Sequence, residues 1–492
     1  MKNAVLFVTY DGLLDPLGSS QILPYLRSIA SHPRSLHIIS EVGRNKPAPA
    51  GVSGIWRGFF WLCRKRRCSG LFRPTTRLFA VNGNMITFKS VLFITYDGLL
   101  DPLGGSQILP YLYSIASHPR PVHILSFEKL ERLAEGREAL EHYLEIRCIT
   151  WTPLTFTRRY GVFGKVWDLM RMYYCGIHLV FTQKSKIIHA RGHAPAQIGL
   201  FLKRLFGAEL IFDFRGLWVD ERVDKGGWDM QRLSHRLQYR HFKKIEQTLL
   251  ANADQIVVLT QAAVSEVIRL GAATAEKITV IPCCADFDHF PLATSYCRES
   301  ARTSIGIPND ALVLGYLGSV GGMYLPERYL RLIELAVADN KQVHALVITQ
   351  DVEKIQEIIS RSFPVLLQGC VHIRSANRAE IPDLISAMDV LIAFARPSYA
   401  RISMSPTKLA ECFAVGIPAI CNAGVGDVAE MIQNLNAGIV VNADSDEDLK
   451  EVVAQLDTIC VLGGRRLREA ARKQLGLEVA AARYRSVYSK LD

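Results

Sequence analysis

A short run of residues, Ser405-Pro406-Thr407-Lys408-Leu409-Ala410-Glu411, has the types and spacing needed to bind a nucleotide. Pro406 suits the first turn of a helix, where free N–H groups and the positive end of the helix dipole attract an anion such as a diphosphate. Lys408 adds a cation at the same end. Glu411, about one turn further along, can accept hydrogen bonds from two neighbouring ribose hydroxyls. The same Lys-x-x-Glu spacing also occurs on exposed faces of ordinary helices, so the run needs support from elsewhere.

A second candidate site is the glycine-rich run Gly315-Tyr316-Leu317-Gly318-Ser319-Val320-Gly321-Gly322. Glycines between a strand and a helix let a phosphate approach backbone N–H groups, which makes Gly318, Ser319 and Gly321 candidate anion contacts. The spacing is not the G-x-G-x-x-G of dinucleotide enzymes. Thr349-Gln350 stands where such enzymes carry an acid, so NAD binding is the weaker interpretation of this turn.

Polar residues also follow several strand-like segments in the first half of the chain. Residues 97–105 read as a glycine loop, residues 189–193 contain two histidines and an arginine, and residues 213–222 begin with Asp-Phe-Arg. Because the carboxyl ends of parallel strands meet at one edge of a sheet, these groups are expected to converge on one cleft. A single His or Asp of this kind is often only a satisfied structural group, but three such strand ends together indicate a functional site.

The elements that must position these residues alternate between short apolar runs and helix-length segments. This alternation predicts an α/β fold with two Rossmann-like halves, each a parallel sheet covered by helices on both faces. Two such sheets in tandem leave a cleft between the carboxyl ends of their strands, where ligands bind. The predicted strands are 91–95, 123–126, 187–190, 209–214, 255–259 and 278–281, then 311–317, 345–349, 371–374, 390–393, 417–421 and 438–441. The predicted helices include 106–117, 326–338, 353–362, 380–388, 406–415, 427–434, 446–457 and 465–490.

The chain begins twice. Residues 5–40 and 91–126 align without gaps over 36 positions and differ at six. Only the second copy continues directly into regular α/β patterning, so we expect the fold to use that copy. Residues 1–84 are interpreted as a partial duplicate plus a basic linker, dispensable for chemistry, with Met85 as a natural start. Within them, the aromatic run 55–62 and the cations at 64–67 favour either contact with an anionic membrane surface or a plain linker.

The composition excludes several other classes of function. Hydrophobic residues make up 49% of the 492 residues, but no uninterrupted apolar run reaches the ~18 residues that span a bilayer. The start lacks the architecture of a signal peptide, so a cytoplasmic protein is expected. The net charge of +11 arises mostly from residues 41–77, which hold nine Lys or Arg and one acid. That distribution describes a basic linker and argues against a nucleic-acid partner.

Neither a disulfide framework nor a metal site is predicted. The eleven cysteines are scattered and odd in number. Cys63 and Cys68 lack the second pair or nearby His that would complete a zinc site. The Asp-x-Asp strings at 286–288 and 444–446 do not follow strands in cleft-facing loops of the kind that Mg²⁺ requires.

Taken together, these segments resemble the retaining glycosyltransferases of family four, of the bacterial cell-surface polysaccharide type. That family has the GT-B fold, in which two Rossmann-like domains face a central cleft. The resemblance covers essentially the whole chain after Met85, and residues 96–107, 212–221, 280–284, 315–322 and 405–418 carry it. It implies transfer of a sugar from a nucleotide diphosphate donor to an acceptor hydroxyl, with retention and with neither a metal nor a cofactor. The donor would lie on the second domain and the acceptor on the first.

The resemblance also implies roles for individual residues. Glu411 corresponds to the carboxylate that binds the donor ribose. Two groups of residues on the second domain would hold the diphosphate. The first is the helix start, with Ser405, Pro406, Thr407 and Lys408, and the second is the glycine turn, with Gly318, Ser319 and Gly321. Gly104 and Gly105 would cap the diphosphate from the other domain.

Two positions depart from the family pattern. The first member of the family's acidic pair falls on Ser403, so one usual contact to the donor sugar is missing or supplied differently. Arg215 stands at about the point where the family often has a catalytic His. Asp213, Arg215 and His193 are therefore the catalytic candidates. Arg396, Arg401 or Lys408 could stabilise the leaving diphosphate.

The expected organisation is residues 1–84 as the leader, 85–285 as the acceptor-side domain, 286–475 as the donor-side domain, and 476–492 as a C-terminal helix that packs back on the acceptor-side domain. The expected acceptor is lipid-linked or a growing glycan. The apolar stretch 173–181 and nearby cations then favour either a peripheral contact with the inner face of a membrane or a buried helix with charged flanks. Two other functions remain open: a catalytically inactive paralogue that binds a nucleotide sugar, and a nucleotide-sugar epimerase.

Overall fold

The computed structural model describes residues 4–9, 35–40, 78–81, 84–116, 120–157, 159–272, 274–339, 341–367 and 369–492. The chain divides into two compact units, Met1–Arg73 and Pro74–Asp492. The aromatic and cationic segments predicted within residues 55–67 lie outside the described residues.

Within the first unit, strand β1 (Ala4–Thr9) pairs in parallel with β2 (Ser35–Ser40), and Val5 lies opposite Leu36. The second copy of the repeat forms its own parallel pair with Val91 opposite Val122, which is the same register. The duplicated sequence therefore forms the same backbone pairing twice. The second unit opens with an antiparallel hairpin of β3 (Leu78–Val81) and β4 (Asn84–Thr87).

The first large sheet is parallel and has seven strands in the order β11-β10-β9-β8-β5-β6-β7. Its strands β5 and β6 are buried along their whole length, because helices cover both faces of the sheet. The strand at the β7 edge was not predicted; its Pro153 suits an edge position, where the missing N–H costs no ladder bond. The strands are β5 Val91–Thr95, β6 Val122–Glu128, β7 Ile149–Thr155, β8 Ile187–Arg191, β9 Glu209–Asp213, β10 Gln255–Val258 and β11 Ile278–Val280.

Eight helices of the described residues accompany this sheet. On one face α4, α5, α7 and α8 share a core, and on the other α2 and α3 pack together with the last helix of the chain. They are α1 Pro102–Gln107, α2 Leu109–Ala116, α3 Leu130–Ile146, α4 Gly161–Gln183, α5 His193–Phe206, α6 Trp218–Asp224, α7 Leu233–Asn252 and α8 Ala262–Leu270.

The second large sheet is also parallel, with six strands in the order β14-β13-β12-β15-β16-β17. Two parallel sheets flanked by helices confirm the predicted fold class. The strands are β12 Leu312–Leu317, β13 Val343–Ile348, β14 Val371–Arg374, β15 Val390–Ala393, β16 Ala419–Asn422 and β17 Gly438–Val441. The helices are α9 Ser295–Ile305, α10 Pro326–Ala338, α11 Val352–Ser362, α12 Ile381–Ser386, α13 Thr407–Val415, α14 Val428–Leu435, α15 Asp446–Cys460, α16 Arg465–Leu475 and α17 Leu477–Ser489.

Three predicted elements differ from the structure in their extent. The predicted helix 106–117 begins with the last two residues of α1 and continues, after Ile108, as α2. Residues 97–105 are not all loop, because helix α1 already begins at Pro102, a residue that favours the first helical position. The predicted helix 465–490 is broken at Gly476 into α16 and α17. The break lets α17 cross to the seven-stranded sheet, where Tyr484, Val487 and Tyr488 join the core formed by α2 and α3.

No helix of the described ranges is long and apolar enough to cross a membrane. All nine cysteines in these ranges are free, and the same ranges contain no cluster of three or more His, Cys, Asp or Glu side chains that could hold a metal ion.

Candidate functional site

The two sheets meet through a segment that we call the interdomain segment, residues 399–405, which follows β15. Leu217 N, just after β9, donates to Ser403 Oγ at 3.1 Å, and Thr260 Oγ1, just after β10, donates to Ile402 O at 2.6 Å. Cys283 N donates to Ser405 Oγ at 3.1 Å. The residues that follow the carboxyl ends of the first sheet therefore contact the interdomain segment, at the sheet edge where ligands bind in such folds.

Lys408 lies beneath the glycine turn on the other side of the cleft. Its side chain is buried, and Nζ lies 3.6 Å from the centroid of the Tyr324 ring. Gly318 has φ +122°, and a Cβ added there would lie 3.2 Å from Lys408 Nζ. Burial lowers the pKa of Lys408 to about 8. The structure thus brings together the two motifs, Lys408 and the Gly318 turn, that the sequence predicts as anion contacts.

Part of the glycine turn is already hydrogen-bonded within the protein. Gly318 N donates to Ile348 O at 3.0 Å, and Val320 N donates to Asp351 Oδ2 at 3.0 Å. This leaves Ser319, which is exposed, and Gly321, with φ +86°, as the candidate amide donors of the turn.

Glu411 is held by a cation that the sequence analysis missed. Arg378 Nη1 lies 3.3 Å from Glu411 Oε1, and the Glu411 side chain is only 12% exposed. Burial raises the pKa of Glu411, against the opposing effect of Arg378. Arg378 comes from the loop between β14 and α12, and no local motif marks it. A ribose that bound Glu411 would therefore compete with, or join, this arginine.

Ser403 and Ser405 have structural partners. Ser403 is buried; its Oγ accepts from Leu217 N and donates to Ala400 O at 3.0 Å. Ser405 Oγ accepts the bond from Cys283 N, and helix α13 begins at Thr407, one residue after Pro406. In this structure both serine hydroxyls hydrogen-bond the interdomain segment to the first domain.

Gly104 and Gly105 belong to helix α1. A Cβ at Gly104 would lie 2.2 Å from Gly98 O, so the close packing of the preceding turn requires glycine there. A Cβ at Gly105 would meet nothing within 4 Å. In the described part of the chain, no hydrogen bond joins these glycines to the Gly318 turn.

Asp213 is buried at the end of β9 among several charged and polar groups. His189 Nε2 and Arg191 Nη1 lie 3.7 and 3.6 Å from its Oδ2, Arg215 Nη1 lies 3.6 Å from Oδ1, and Tyr484 OH donates to Oδ2 at 3.2 Å. Burial alone would raise the pKa of Asp213, but the nearby Arg215, His189 and Arg191 outweigh it and hold that pKa well below its usual range. Asp213 is thus an ionised group that orients Arg215, whose Nη2 also reaches Cys283 Sγ at 3.5 Å.

His193 begins helix α5 and pairs with a buried acid. Its Nε2 lies 2.8 Å from Glu246 Oε2, and Lys243 bridges Glu246 and Asp220 at 2.6 Å to each. Burial would raise the pKa of Glu246, but His193 and Lys243 lower it. A fixed carboxylate orients the imidazole, which is the arrangement that a general base needs.

Arg401 is the one buried arginine of the interdomain segment. It is 3% exposed, and its Nη1 lies 3.6 Å from Glu221 Oε1. Its Nε and Nη1 have no hydrogen-bond partner among the described residues. Buried guanidinium groups are normally satisfied, so Arg401 presents donors for a bound anion.

The first domain and the longer chain are similar in sequence to known glycosyltransferases. Residues 131–284 match the family model described as a glycosyl transferase 4-like domain. D-inositol 3-phosphate glycosyltransferase of Corynebacterium jeikeium is 26% identical over 279 residues, which span 55% of this chain and 63% of the relative. The enzyme of the same name from Thermobispora bispora is 22% identical over 317 residues, which span 62% of this chain and 70% of the relative.

Solved structures share the architecture. Anabaena HepE in complex with UDP and glucose superposes with a TM-score of 0.59 at 17% identity, covering 82% of this chain and 99% of that one. WaaG, involved in lipopolysaccharide biosynthesis, gives 0.58 at 15% identity, covering 81% and 99%. These solved structures confirm the GT-B fold, and the family model and the two relatives confirm the resemblance to the family-four glycosyltransferases. The cell-surface polysaccharide type stays a prediction.

Proposed function

Because the chain carries a family-four type glycosyltransferase domain on the GT-B fold, we propose that it transfers a sugar from a nucleoside diphosphate sugar to an acceptor hydroxyl, with retention and without a metal. The observation that carries the proposal is the cationic wall of the cleft. Buried Lys408 lies against the Gly318 turn, and buried Arg401 has donors without partners. Both groups suit a diphosphate, whose charge increases when the sugar leaves.

The donor would be oriented by residues on the second domain. Lys408, Ser319 and Gly321 would bind the diphosphate, and Glu411 would bind the ribose. Arg401 would stabilise the leaving phosphate. Since HepE was solved with UDP and glucose, UDP-glucose is the first donor to test.

The first domain would supply the acceptor side. His193, oriented by Glu246, would accept the proton of the acceptor hydroxyl, and Arg215, oriented by Asp213, would contact the donor sugar or its phosphate. The acceptor is proposed to be a lipid-linked sugar or a growing cell-surface glycan at the inner face of a membrane. The relatives named for inositol 3-phosphate make that compound a second acceptor to test.

One observation favours a second candidate, a paralogue that binds the donor without transferring it. Ser403 stands at the position of the first member of the family's acidic pair, and its hydroxyl is hydrogen-bonded to the backbone of Leu217 and Ala400. Such a protein would bind the nucleotide sugar at full affinity but would not cleave it, so no free nucleotide would form. An epimerase would instead convert the donor when no acceptor is present.

The test is release of free nucleotide from UDP-, GDP- and dTDP-sugars by the full chain, with and without acceptor. Glu411→Ala is the site variant, and Glu357→Ala, on the exposed face of α11, is the matched control. One donor consumed by the wild type and by the control, but not by Glu411→Ala, supports the proposal. Binding of a donor without release by the wild type, at any acceptor, supports the inactive paralogue. If no nucleotide sugar binds, both are wrong.

A further inference from the structure

Helix α4 carries a row of exposed apolar side chains on the surface of the first domain. Phe163 is 81% exposed and Tyr174 73%. Most members recur at spacings of three, four or seven residues, and Val166 adjoins Trp167, so all of them lie along one side of the helix. They are Tyr160, Phe163, Val166, Trp167, Met170, Tyr174 and Phe181, and we call them the aromatic stripe.

The opposite side of the same helix fixes its orientation. Met172, Leu179 and Val180 belong to the buried core beneath the sheet. A Cβ at Gly176 would lie 3.1 Å from Leu202 of α5, so the two helices are in close contact. Because this inner side is already filled, the aromatic stripe cannot be a core face that the helix would turn inward.

The surroundings of the aromatic stripe are cationic. The only acid within α4 is Asp168, which is buried and bonded to Thr157 at 2.6 Å. The nearby exposed cations form no ion pair with any residue that the structure describes; they are Arg159, Lys165, Lys184, Lys186 and Arg204. An apolar stripe with unpaired positive charge along it complements an anionic partner.

The side chains identify which anionic partner fits. Trp, Tyr and Phe are the residues that settle at the boundary between lipid headgroups and acyl chains. A second copy of this helix would bring the same unpaired cations against each other, which disfavours self-association along the stripe. We propose that the aromatic stripe docks the protein on an anionic lipid bilayer, with α4 lying in the plane of the headgroups.

A membrane contact through α4 also agrees with the position of the cleft between the two sheets. Helix α4 connects β7 to β8, so it runs antiparallel to the strands and begins at their carboxyl edge. Tyr160 and Phe163 therefore lie at the end of the domain that opens to the cleft. The docked helix would bring the acceptor side of the cleft to the membrane surface.

The test is co-sedimentation of the full chain with vesicles of phosphatidylglycerol and phosphatidylcholine, and with vesicles of phosphatidylcholine alone. The stripe variant is Phe163→Ser/Trp167→Ser/Tyr174→Ser, and the matched control is Tyr296→Ser/Val461→Ser, two residues that are 80% and 78% exposed on the other domain. We expect the stripe variant to lose at least about tenfold in partition to anionic vesicles, and the control to match the wild type. Lys165→Glu/Lys184→Glu/Lys186→Glu should weaken the same binding, which should also be weak without anionic lipid.

Three results would overturn the docking surface. The first is equal vesicle binding by the stripe variant and the control. The second is loss of binding only in Trp56→Ser/Trp61→Ser, which would assign the contact to the leader. The third is a dimer by light scattering that the stripe variant converts to a monomer, with no vesicle binding by the wild type. Vesicle binding needs no donor, so these results are independent of the proposed sugar transfer; UDP-sugar binding by the stripe variant separates the two.

Discussion

The two sides of the cleft use buried charge in different ways. On the first domain, Asp213 lies within 3.7 Å of His189, Arg191 and Arg215 and accepts a hydrogen bond from Tyr484. On the second, no carboxylate of the described residues lies within ion-pair distance of Lys408.

This difference distinguishes a buried charge that stabilises the fold from a buried charge that is suited to bind a ligand. A buried charge surrounded by opposite charge holds its neighbours in place, and its loss leaves them uncompensated. A buried cation without a counter-charge costs stability until an anion arrives, which is typical of a ligand site. We therefore expect substitution of Asp213 to lower stability most and substitution of Lys408 to lower ligand affinity most.

The largest effect is expected from Asp213→Asn. It leaves Arg215 and Arg191 buried without their shared carboxylate, so the free energy of unfolding should fall by about 3–5 kcal/mol. Urea denaturation of the full chain measures this, with Asp383→Asn, on helix α12, as the control. An unchanged unfolding midpoint would show that Asp213 does not hold the first side together.

The opposite outcome is expected from Lys408→Met. Removal of an uncompensated buried cation should leave the free energy of unfolding unchanged or raised, while UDP affinity falls by about 10- to 100-fold. Calorimetric titration of UDP and urea denaturation are compared for this variant and for Lys354→Met, whose cation is exposed. If Lys408→Met destabilised the protein and kept its UDP affinity, the division between the two sides would be wrong.

The same lysine predicts a pH dependence. Its pKa is lowered from 10.5 to about 8, so the folded protein releases this proton before the unfolded chain does. Stability should therefore rise with pH between about 8 and 10.5 as the penalty for the buried charge disappears. UDP affinity should fall as the pH rises through about 8, because Lys408 then loses its positive charge. Both trends should be absent in Lys408→Met; a flat UDP affinity from pH 7 to 9.5 in the wild type would contradict the assignment.

The smallest effect is expected from Ser403→Ala. The buried Leu217 N–H loses its hydrogen-bond acceptor, which should lower the free energy of unfolding by about 1–3 kcal/mol. Thermal unfolding measures the loss, with Ser360→Ala on the exposed face of α11 as the control. UDP affinity should change little, and a large drop in affinity would return Ser403 to the donor site.

Local spacing was enough to single out the Gly318 turn and Lys408, which the structure brings together, and their role in donor binding stays a prediction. The Gly318 turn and Lys408 follow from short motifs, since a strand–glycine–helix junction and a helix start are set by neighbouring residues. The α/β alternation likewise predicted most strands of both sheets, including β5, β14, β15 and β17 with their observed bounds.

The roles of Asp213, Ser403 and Glu411 could not be predicted in the same way. Asp213 meets Tyr484 at a separation of 271 residues, and Ser403 meets Leu217 at 186. Arg378, which pairs with Glu411, stands in a loop without any motif. Such contacts join segments that are distant in sequence, and only the tertiary packing of the chain brings those segments together.

The most direct measurement is release of UDP from UDP-glucose by the full chain in the presence of a lipid-linked or glycan acceptor, beside Glu411→Ala and Glu357→Ala. We predict release by the wild type and by Glu357→Ala, and none by Glu411→Ala. Equal release by all three, or binding of no nucleotide sugar by any of them, would contradict the assignment of this cleft as a glycosyl-transfer site.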